Sequence, residues 1–148
     1  MLPEPIKKFV DAFARLPGIG PRQATRLAFH VVNAGQNELS ELAQAVLGLS
    51  KLKTCPICFA TTPNSEICGI CANPQRMKNF VAVVEKETDL VSLEKTGKFN
   101  GRYLVLGDLK KDGVLNQIQR LRLQTIKNVD EVILAISPTT YGDINAAL

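Results

Sequence analysis

The sequence contains no apolar run of the roughly 18–20 residues that a membrane-spanning helix needs. Its N-terminus, MLPEPIKKFV, has no continuous apolar segment of the kind found in a signal peptide. We also find no internal repeat and no low-complexity segment. These absences argue against a membrane-spanning, secreted or repeat protein, and they predict a folded protein of the cytoplasm.

Histidine and tyrosine are scarce, with one and two copies among 148 residues. His30 falls late in a predicted helix, where we expect a structural or surface role more than metal ligation or base catalysis. A topoisomerase would need a tyrosine placed for attack, whereas Tyr103 falls within a predicted strand and Tyr141 in a terminal loop. No candidate nucleophile stands beside a base, so the sequence favours a protein that is not an enzyme.

The overall composition is ordinary for a globular protein, with 45% hydrophobic and 22% charged residues. The length suits one compact unit or two small ones. The formal net charge is +4, but four thiolates bound to one zinc ion would reduce it to about +2. The positions of the basic residues therefore say more about an anionic partner than the net charge does.

Residues 1–53 have apolar side chains at helical spacing. Pro5 suits the first position of a helix, where its missing N–H costs nothing, and Pro17-Gly18 ends that helix. Pro21 suits the same position in a second helix. A third helix is predicted from about Glu38 to Leu52.

Residues 79–148 alternate between apolar strands and amphipathic helices, which predicts a mostly parallel sheet with helical crossovers. Three strands make a thin sheet, so this part looks like a minimal or incomplete α/β domain. The predicted strands are Phe80–Val84, Arg102–Leu106 and Val132–Ile136, and the predicted helices are Thr88–Lys95 and Gly113–Ile126. The expected fold class is thus α+β in several parts, with helices first and an α/β domain last.

Four cysteines lie between these two parts, in residues 54–72, with the spacing C-x₂-C-x₉-C-x₂-C. Each C-x₂-C pair can bend so that both sulfurs reach one ion. Two such pairs close a tetrahedral site with the ligands Cys55, Cys58, Cys68 and Cys71. Four protein ligands leave no position for water, so we expect zinc, or iron in its place, in a structural role.

Two disulfides, four unrelated thiols and a redox pair are the alternatives to this metal site. Disulfides are not expected in a chain without a secretory signal. A redox C-x₂-C pair does not explain a second pair ten residues further on. The spacing therefore favours metal, and the ion would fix a hairpin too short to fold alone.

The segment Leu16-Pro-Gly-Ile-Gly-Pro21 lies between the first two predicted helices. Gly18 and Gly20 can adopt positive φ and allow another backbone to approach closely. The turn then presents free N–H groups at the N-terminus of the second helix, where geometry and dipole favour phosphate. Arg22 and Arg26, one helical turn apart, can flank the same phosphates.

This hairpin resembles the helix-hairpin-helix pattern of proteins that bind DNA without regard to sequence. Because no reader of base edges is evident, we expect contacts mainly to phosphates. An ordinary turn between packed helices, with arginines on a solvated face, is the alternative. In that case other basic residues become the candidates for DNA contact, namely Arg76, Lys78, Arg120 and Arg122.

Glu85 follows the first strand at its carboxyl end, where α/β folds place ligands. Asp108 and Asp112 lie just past the second strand, and three carboxylates together could hold Mg²⁺ for phosphoryl chemistry. We favour the interpretation that all three are solvated acids in turns.

The order of these parts resembles the RecR family of recombination mediators, and the resemblance covers nearly the whole chain. The segment LPGIGPRQATRLAFH, ending at His30, looks like the helix-hairpin-helix of the family, and the four cysteines look like its zinc finger. Val83–Glu85 and Thr96–Gly107 look like the start of its Toprim domain. Glu131–Gly142 looks like the third Toprim strand and the loop after it.

The resemblance implies a role in recombinational DNA repair, in which RecR members act with RecO and RecF to help load recombinase on gapped DNA. It implies single-stranded, double-stranded or gapped DNA as a partner, and assembly into homodimers or homotetramers. It also implies that the Toprim domain, with Glu85 at its acidic position, binds and does not cut. The implied domains are a helix-hairpin-helix region (1–53), a C4-type zinc finger (54–72) and a shortened Toprim domain (79–148).

Two segments depart from the family pattern. After Gly107 the family usually continues with a second glycine and a longer Ser-Pro-Leu loop, whereas Asp108-Leu-Lys-Lys-Asp-Gly113 follows here. The sequence also stops at Leu148, before the late acidic strand motif and the C-terminal assembly segment of the family. Ring formation through that segment is therefore not implied for this sequence.

Two other functions stay open beside a DNA-binding mediator. One is a Mg²⁺-dependent nuclease or strand-transfer enzyme of the Toprim type that uses Glu85, Asp108 and Asp112. The other is a pure interaction module whose zinc hairpin docks a partner protein.

Overall fold

The computed structural model describes residues 2–63, 67–110 and 112–136. The chain divides into two compact units, Met1–Lys51 and Leu52–Leu148. Within the described part of the chain, none of the helices combines the length and apolar character needed to cross a membrane.

The first unit consists of three helices, as the sequence predicts: α1 (Glu4–Phe13), α2 (Pro21–Ala34) and α3 (Gln36–Leu49). Pro21 is the first residue of α2. Helix α1 begins one residue earlier than expected, so Pro5 takes its second position, where a missing N–H is equally harmless.

The core of this unit is small. Ala24 and Ala28, one turn apart on α2, are its buried side chains, and their small size lets another helix approach α2 closely. Phe9 and Phe13 of α1 stack with ring centroids 3.9 Å apart. Helix α3 has no buried residue, and several of its apolar side chains are exposed, including Leu39, Leu42, Val46, Leu47 and Leu49.

The second unit begins with a small antiparallel hairpin, β1 (Lys53–Thr54) and β2 (Thr61–Thr62), followed by α4 (Gly69–Ala72). Its sheet contains β3 (Met77–Val84), β4 (Gly101–Val105) and β5 (Glu131–Ala135), with α5 (Glu87–Lys95) and α6 (Gln117–Gln124) between them. Strand β3 lies in the middle and pairs in parallel with both neighbours. The predicted parallel sheet is confirmed.

Helix α6 begins four residues later than the sequence suggests. Gly113 adopts a φ of +71° and belongs to the preceding turn. The helix begins only after Asn116, whose side chain accepts a hydrogen bond from Gln119 N at 2.9 Å. In return, the Gln119 side chain accepts one from Asn116 N through its Oε1. This reciprocal capping box fixes the start of the helix.

The sheet buries apolar side chains on both faces, as expected for a parallel sheet covered on two sides. One face carries Ala82, Val84, Tyr103 and Val105 and also contacts Leu90 of α5. The other face carries Val81, Val83, Leu104 and Leu106, against residues of α6 and its flanking loops. The strict alternation along β3 follows from the two-residue period of a strand.

Candidate metal centre and candidate DNA-binding hairpin

The four cysteines come from two tight turns of the second unit. Cys55 and Cys58 lie between β1 and β2, where Phe59 N donates to Cys55 O at 2.9 Å and Cys55 N to Ala60 O at 2.8 Å. Cys68 is the N-cap of α4, and Cys71 lies within that helix. All four side chains are buried.

The four sulfur atoms lie within 4.8 Å of one another. Cys58 Sγ and Cys68 Sγ are 3.4 Å apart. A tetrahedral site with Zn–S bonds of about 2.3 Å places its sulfurs about 3.8 Å apart. The cysteines therefore fit one tetrahedral ion after small movements, and they form the one such group of three or more potential ligands among the described residues.

Backbone N–H groups point at these sulfurs. Cys68 N lies 3.4 Å from Cys55 Sγ, and Cys71 N lies 3.5 Å from Cys68 Sγ. Burial opposes ionisation of Cys55, but backbone hydrogen bonds from Cys68, Cys58 and Ile57 outweigh it and lower the pKa to about 6. N–H groups that stabilise a thiolate also prepare it to bind a metal.

Two of the other sulfurs, those of Cys58 and Cys68, hold their protons more tightly. A hydrogen bond with the Cys71 side chain, followed by burial, raises the pKa of Cys58. Burial is the largest cause of the raised pKa of Cys68. Several thiolates cannot share so small a space without a cation, and a divalent ion supplies the missing charge.

The cysteine cluster belongs to the core of the α/β unit. All four cysteines pack in the same buried group as Ala82, Val84 and Tyr103. Val105 N, at the end of β4, donates to Cys58 O at 2.8 Å. Phe59, which follows Cys58, has a φ of +63°. The guanidinium of Arg122 lies 4.9 Å from the centroid of the Phe59 ring. Besides the ion that is expected to fix this short hairpin, the sheet therefore supports it.

The hairpin is also held from the other side by Glu87, the first residue of α5. Its carboxylate accepts hydrogen bonds from both Thr61 N and Thr61 Oγ1. Sequence reasoning missed this contact, since residues 26 positions apart share no local pattern.

The turn between α1 and α2 has the hairpin form that the sequence predicts. Ile19 N donates to Leu16 O at 3.1 Å, and Gly18 adopts a φ of +78°. Gly20, with φ −87° and ψ 169°, is the N-cap of α2, and no side chain caps this helix end. The first N–H groups of α2 therefore lack the partner that a capping side chain supplies.

Gly20 differs from expectation, since its φ is negative and lies in the extended region. A Cβ built at Gly20 meets no other atom within 4 Å, and the same holds at Gly18. Within the folded protein, only Gly18 needs glycine for its conformation. The open space beside Gly20 leaves room for a ligand, such as a phosphate group, to approach the end of α2.

Arg22 and Arg26 lie on the first two turns of α2, and both are exposed. They are at positions i and i+4 and share one face of the helix. His30 is exposed as well, with Nε2 3.9 Å from Glu38 Oε1. Its described partner is therefore a carboxylate of the neighbouring helix α3.

The three carboxylates of the enzymatic alternative do not form a cluster. Glu85 Oε1 accepts a hydrogen bond from Leu109 N at 3.2 Å. Asp108 Oδ1 lies 3.8 Å from Lys86 Nζ, and Asp112 Oδ1 accepts from Val114 N at 2.9 Å. Glu85 and Asp108 thus connect the loops that follow β3 and β4, and Asp112 stabilises its own turn, which agrees with the interpretation as turn acids. Tyr141 lies outside the described residues.

Tyr103 is buried on the sheet and belongs to a polar network that sequence reasoning did not find. Its hydroxyl donates to Glu94 Oε2 at 2.9 Å, and the same carboxylate forms an ion pair with Arg76. Arg76 Nη1 also donates to Phe99 O at 3.1 Å and to Gly101 O at 3.3 Å. Tyr103 therefore has a structural role, and so does Arg76.

Arg122 likewise has a structural role. Its Nη1 donates to Val105 O at 3.0 Å and to Leu106 O at 3.2 Å. Of the four alternative basic candidates, Arg76 and Arg122 are therefore poorly placed to contact DNA, while Lys78 and Arg120 are exposed.

Comparison with known families identifies both parts of the chain. The family model described as RecR, helix-hairpin-helix, matches residues 6–48. The model of the Toprim domain matches residues 79–147. The first match spans the α1–α2 turn, and the second spans the parallel sheet.

Curated relatives match over most of the chain. The recombination protein RecR of Synechococcus sp. (strain CC9605) is 41% identical over 143 residues, which cover 92% of this chain and 74% of the relative. The recombination protein RecR of Rippkaea orientalis (strain PCC 8801 / RF-1) is 41% identical, with 97% and 76% coverage. That of Cutibacterium acnes (strain DSM 16379 / KPA171202) is 38% identical, with 96% and 74% coverage.

Proposed function

This chain belongs to the RecR family of recombination proteins, and we propose that it works in DNA repair as a mediator that binds DNA phosphates through the α1–α2 hairpin. The name that its relatives carry supports a role in recombination. The hairpin adds the chemistry by which the chain would hold DNA.

The N-terminus of α2 is the observation that carries this proposal. Gly18 turns the chain, Gly20 leaves open space beside the helix end, and Pro21 starts the helix without a capping side chain. Exposed N–H groups and the positive end of the helix dipole favour an anion there. Arg22 and Arg26 add two exposed positive charges on the same side. Contacts of this kind recognise phosphate without reading the bases.

We propose zinc as the ion held by Cys55, Cys58, Cys68 and Cys71. Four sulfur ligands, all buried, suit zinc in a closed structural site. The ion would bring no reactivity of its own, because no coordination position is left for water or substrate. Its effect is to hold the two cysteine turns together against the sheet.

We propose that the protein has no catalytic activity of its own and acts through partners. RecO- and RecF-type repair proteins and gapped DNA, whether single- or double-stranded at the contact, are the proposed partners. The place of action is the cytoplasm, at the nucleoid. Assembly into a dimer or tetramer would present several hairpins to one DNA molecule, which raises the apparent affinity without new contacts.

A binding assay on paired variants tests the proposal. Arg22→Ala combined with Arg26→Ala should weaken binding to a gapped duplex severalfold, and equally for different base sequences. Lys95→Ala combined with Lys98→Ala removes the same charge from the second unit and should have a smaller effect. Incubation with Mg²⁺ should leave the DNA intact. Nicking that disappears in Glu85→Gln would instead establish the enzymatic alternative.

A further inference from the structure

A shallow groove of about 390 Å³ lies on the second unit, between α6 and the loop before it. Val114, Leu115 and Leu123 form its apolar lining, and Arg120, Gln124 and Lys127 form its polar lining. We propose that this groove binds a protein partner through an acidic peptide segment that carries a bulky apolar side chain. The inference goes beyond DNA binding by the hairpin and does not depend on it.

The positive charges that line the groove favour a negatively charged ligand. Two cations line it, and no carboxylate does among the described residues. The nearby carboxylate of Asp112 accepts a hydrogen bond from Val114 N, so it caps the loop. A peptide with carboxylates on either side of its apolar residue would match this arrangement.

The Arg120 guanidinium is already positioned to bind a carboxylate. Its Nε donates to Leu115 O at 3.0 Å, which fixes the guanidinium at the edge of the groove. An arginine fixed before binding loses less conformational entropy when a ligand arrives. Arg120 and Gln124 are four residues apart on α6 and share one face, and Lys127 lies in the turn after the helix. Both cations line the same groove.

The apolar lining is suited to a side chain of a peptide. Val114 is 54% exposed at the rim, and the groove has the size of common ligand sites. Scattered apolar residues are normal on proteins, whereas adjoining ones flanked by charges are typical of interaction sites.

Nucleic acid fits this groove less well than peptide does. Single-stranded DNA is held by aromatic side chains on which bases stack. The groove is lined by aliphatic and polar side chains, with no aromatic ring among the residues that line it. Its cations alone would attract DNA only as any exposed basic residue does.

The test uses a fluorescein-labelled hexapeptide of sequence Asp-Glu-Phe-Leu-Asp-Glu and the full chain labelled with ¹⁵N. We expect binding in fluorescence anisotropy, with amide shifts at Val114, Leu115 and Leu123. Arg120→Glu combined with Lys127→Glu should weaken binding roughly tenfold, because each of the two exposed ion pairs accounts for up to about fivefold. Lys127→Glu alone should give part of the loss and avoids the Arg120 hydrogen bond.

Matched controls separate this groove from general attraction of acid to base. Lys95→Glu combined with Lys98→Glu makes the same charge change elsewhere and should leave peptide affinity within about twofold. Peptides with lysine in place of the acids, or alanine in place of Phe-Leu, should not bind. The proposal is overturned if the lysine peptide binds equally or if the shifts fall elsewhere. Displacement by oligothymidylate with the same amide shifts would assign the groove to DNA and overturn it as well.

Discussion

At the residue scale, the fold decides which of several similar side chains remain available for function. Arg22 and Arg26 are exposed on α2, whereas Arg76 and Arg122 hydrogen-bond to backbone oxygens of the sheet. The sequence alone does not separate these two groups, because the partners of Arg76 and Arg122 are distant along the chain. Burial and hydrogen bonding therefore locate the DNA-binding candidates better than charge does.

Gly18 and Gly20 should respond differently to alanine. Gly18→Ala forces an L side chain into a positive-φ conformation and should lower the free energy of unfolding by about 1–2 kcal/mol. Gly20→Ala finds open space and negative φ, so its unfolding should match that of the parent protein. The same Gly20→Ala variant should nevertheless bind DNA more weakly, because its methyl group stands where a phosphate approaches the helix end.

Thermal unfolding and DNA titration of the two variants check this pair of expectations. Equal stability of the parent and Gly18→Ala would contradict the assigned turn conformation. Unchanged DNA affinity in Gly20→Ala would argue against close approach of phosphate at this point.

Glu94 should make the stability of the second unit depend on pH. Burial raises the pKa of Glu94, but hydrogen bonds from Arg76 and Tyr103 outweigh burial, and the pKa lies below its usual value. A carboxylate with a lowered folded pKa contributes stability above its unfolded pKa of about 4.3, and the contribution is lost as pH falls through the folded value. Glu94→Gln should therefore cost about 1.5–3 kcal/mol at pH 7 and much less near pH 3.

Denaturant unfolding between pH 3 and pH 7 measures this difference. Glu131→Gln, which removes the same charge at an exposed position of the second unit, is the matched control. A cost of Glu94→Gln that stays constant over this range would contradict the ion-pair interpretation. Tyr103 does not titrate between pH 3 and pH 7, since burial and the hydrogen bond to Glu94 raise the pKa of Tyr103 to about 12.

At the element scale, the sequence predicts which helices and strands form but not how the cysteine hairpin attaches to them. All three N-terminal helices and all three sheet strands occur near their predicted positions, because apolar periodicity and proline act locally. The sequence does not determine that β3 pairs with both β4 and β5, since strand order depends on contacts between residues far apart in the chain. Large sequence separation also hides two further contacts, the hydrogen bond from Val105 N to Cys58 O and the Glu87–Thr61 contact.

The cysteine cluster should therefore stabilise the sheet as well as its own hairpin. Freshly purified protein should contain one zinc ion per chain by elemental analysis. Cys68→Ser should lower the free energy of unfolding by more than about 4 kcal/mol, as is typical for loss of a structural metal. The Val105 amide should lose protection from hydrogen exchange, because its acceptor, Cys58 O, lies in the loosened turn.

Chelator-treated parent protein serves as the control and should behave like Cys68→Ser. New reactive thiols should appear in an Ellman titration of both samples. If the hairpin loosens while Val105 stays protected, the cluster acts locally and its proposed support of the sheet is wrong.

At the scale of the whole molecule, the two compact units have different tasks in the proposed function. The first unit presents the hairpin, and the second contains the cysteine cluster, the Toprim sheet and the α6 groove. A single hairpin reaches few phosphates, so we expect one chain to bind DNA weakly and an assembly to bind well. Apolar side chains of α3 and β5 are exposed, and the proposed assembly would offer them a surface to pack against.

The salt dependence of DNA binding tests most directly whether the α1–α2 hairpin holds DNA by its phosphates. Affinity of the parent should fall linearly with salt on logarithmic axes. Arg22→Ala combined with Arg26→Ala should lower that slope by about 0.7–0.9 for each phosphate that the variant no longer neutralises. The Lys95→Ala and Lys98→Ala pair should keep the parent slope. If the folded arginine variant binds with unchanged affinity and unchanged slope, the hairpin does not hold DNA, and the proposed mode of binding is wrong.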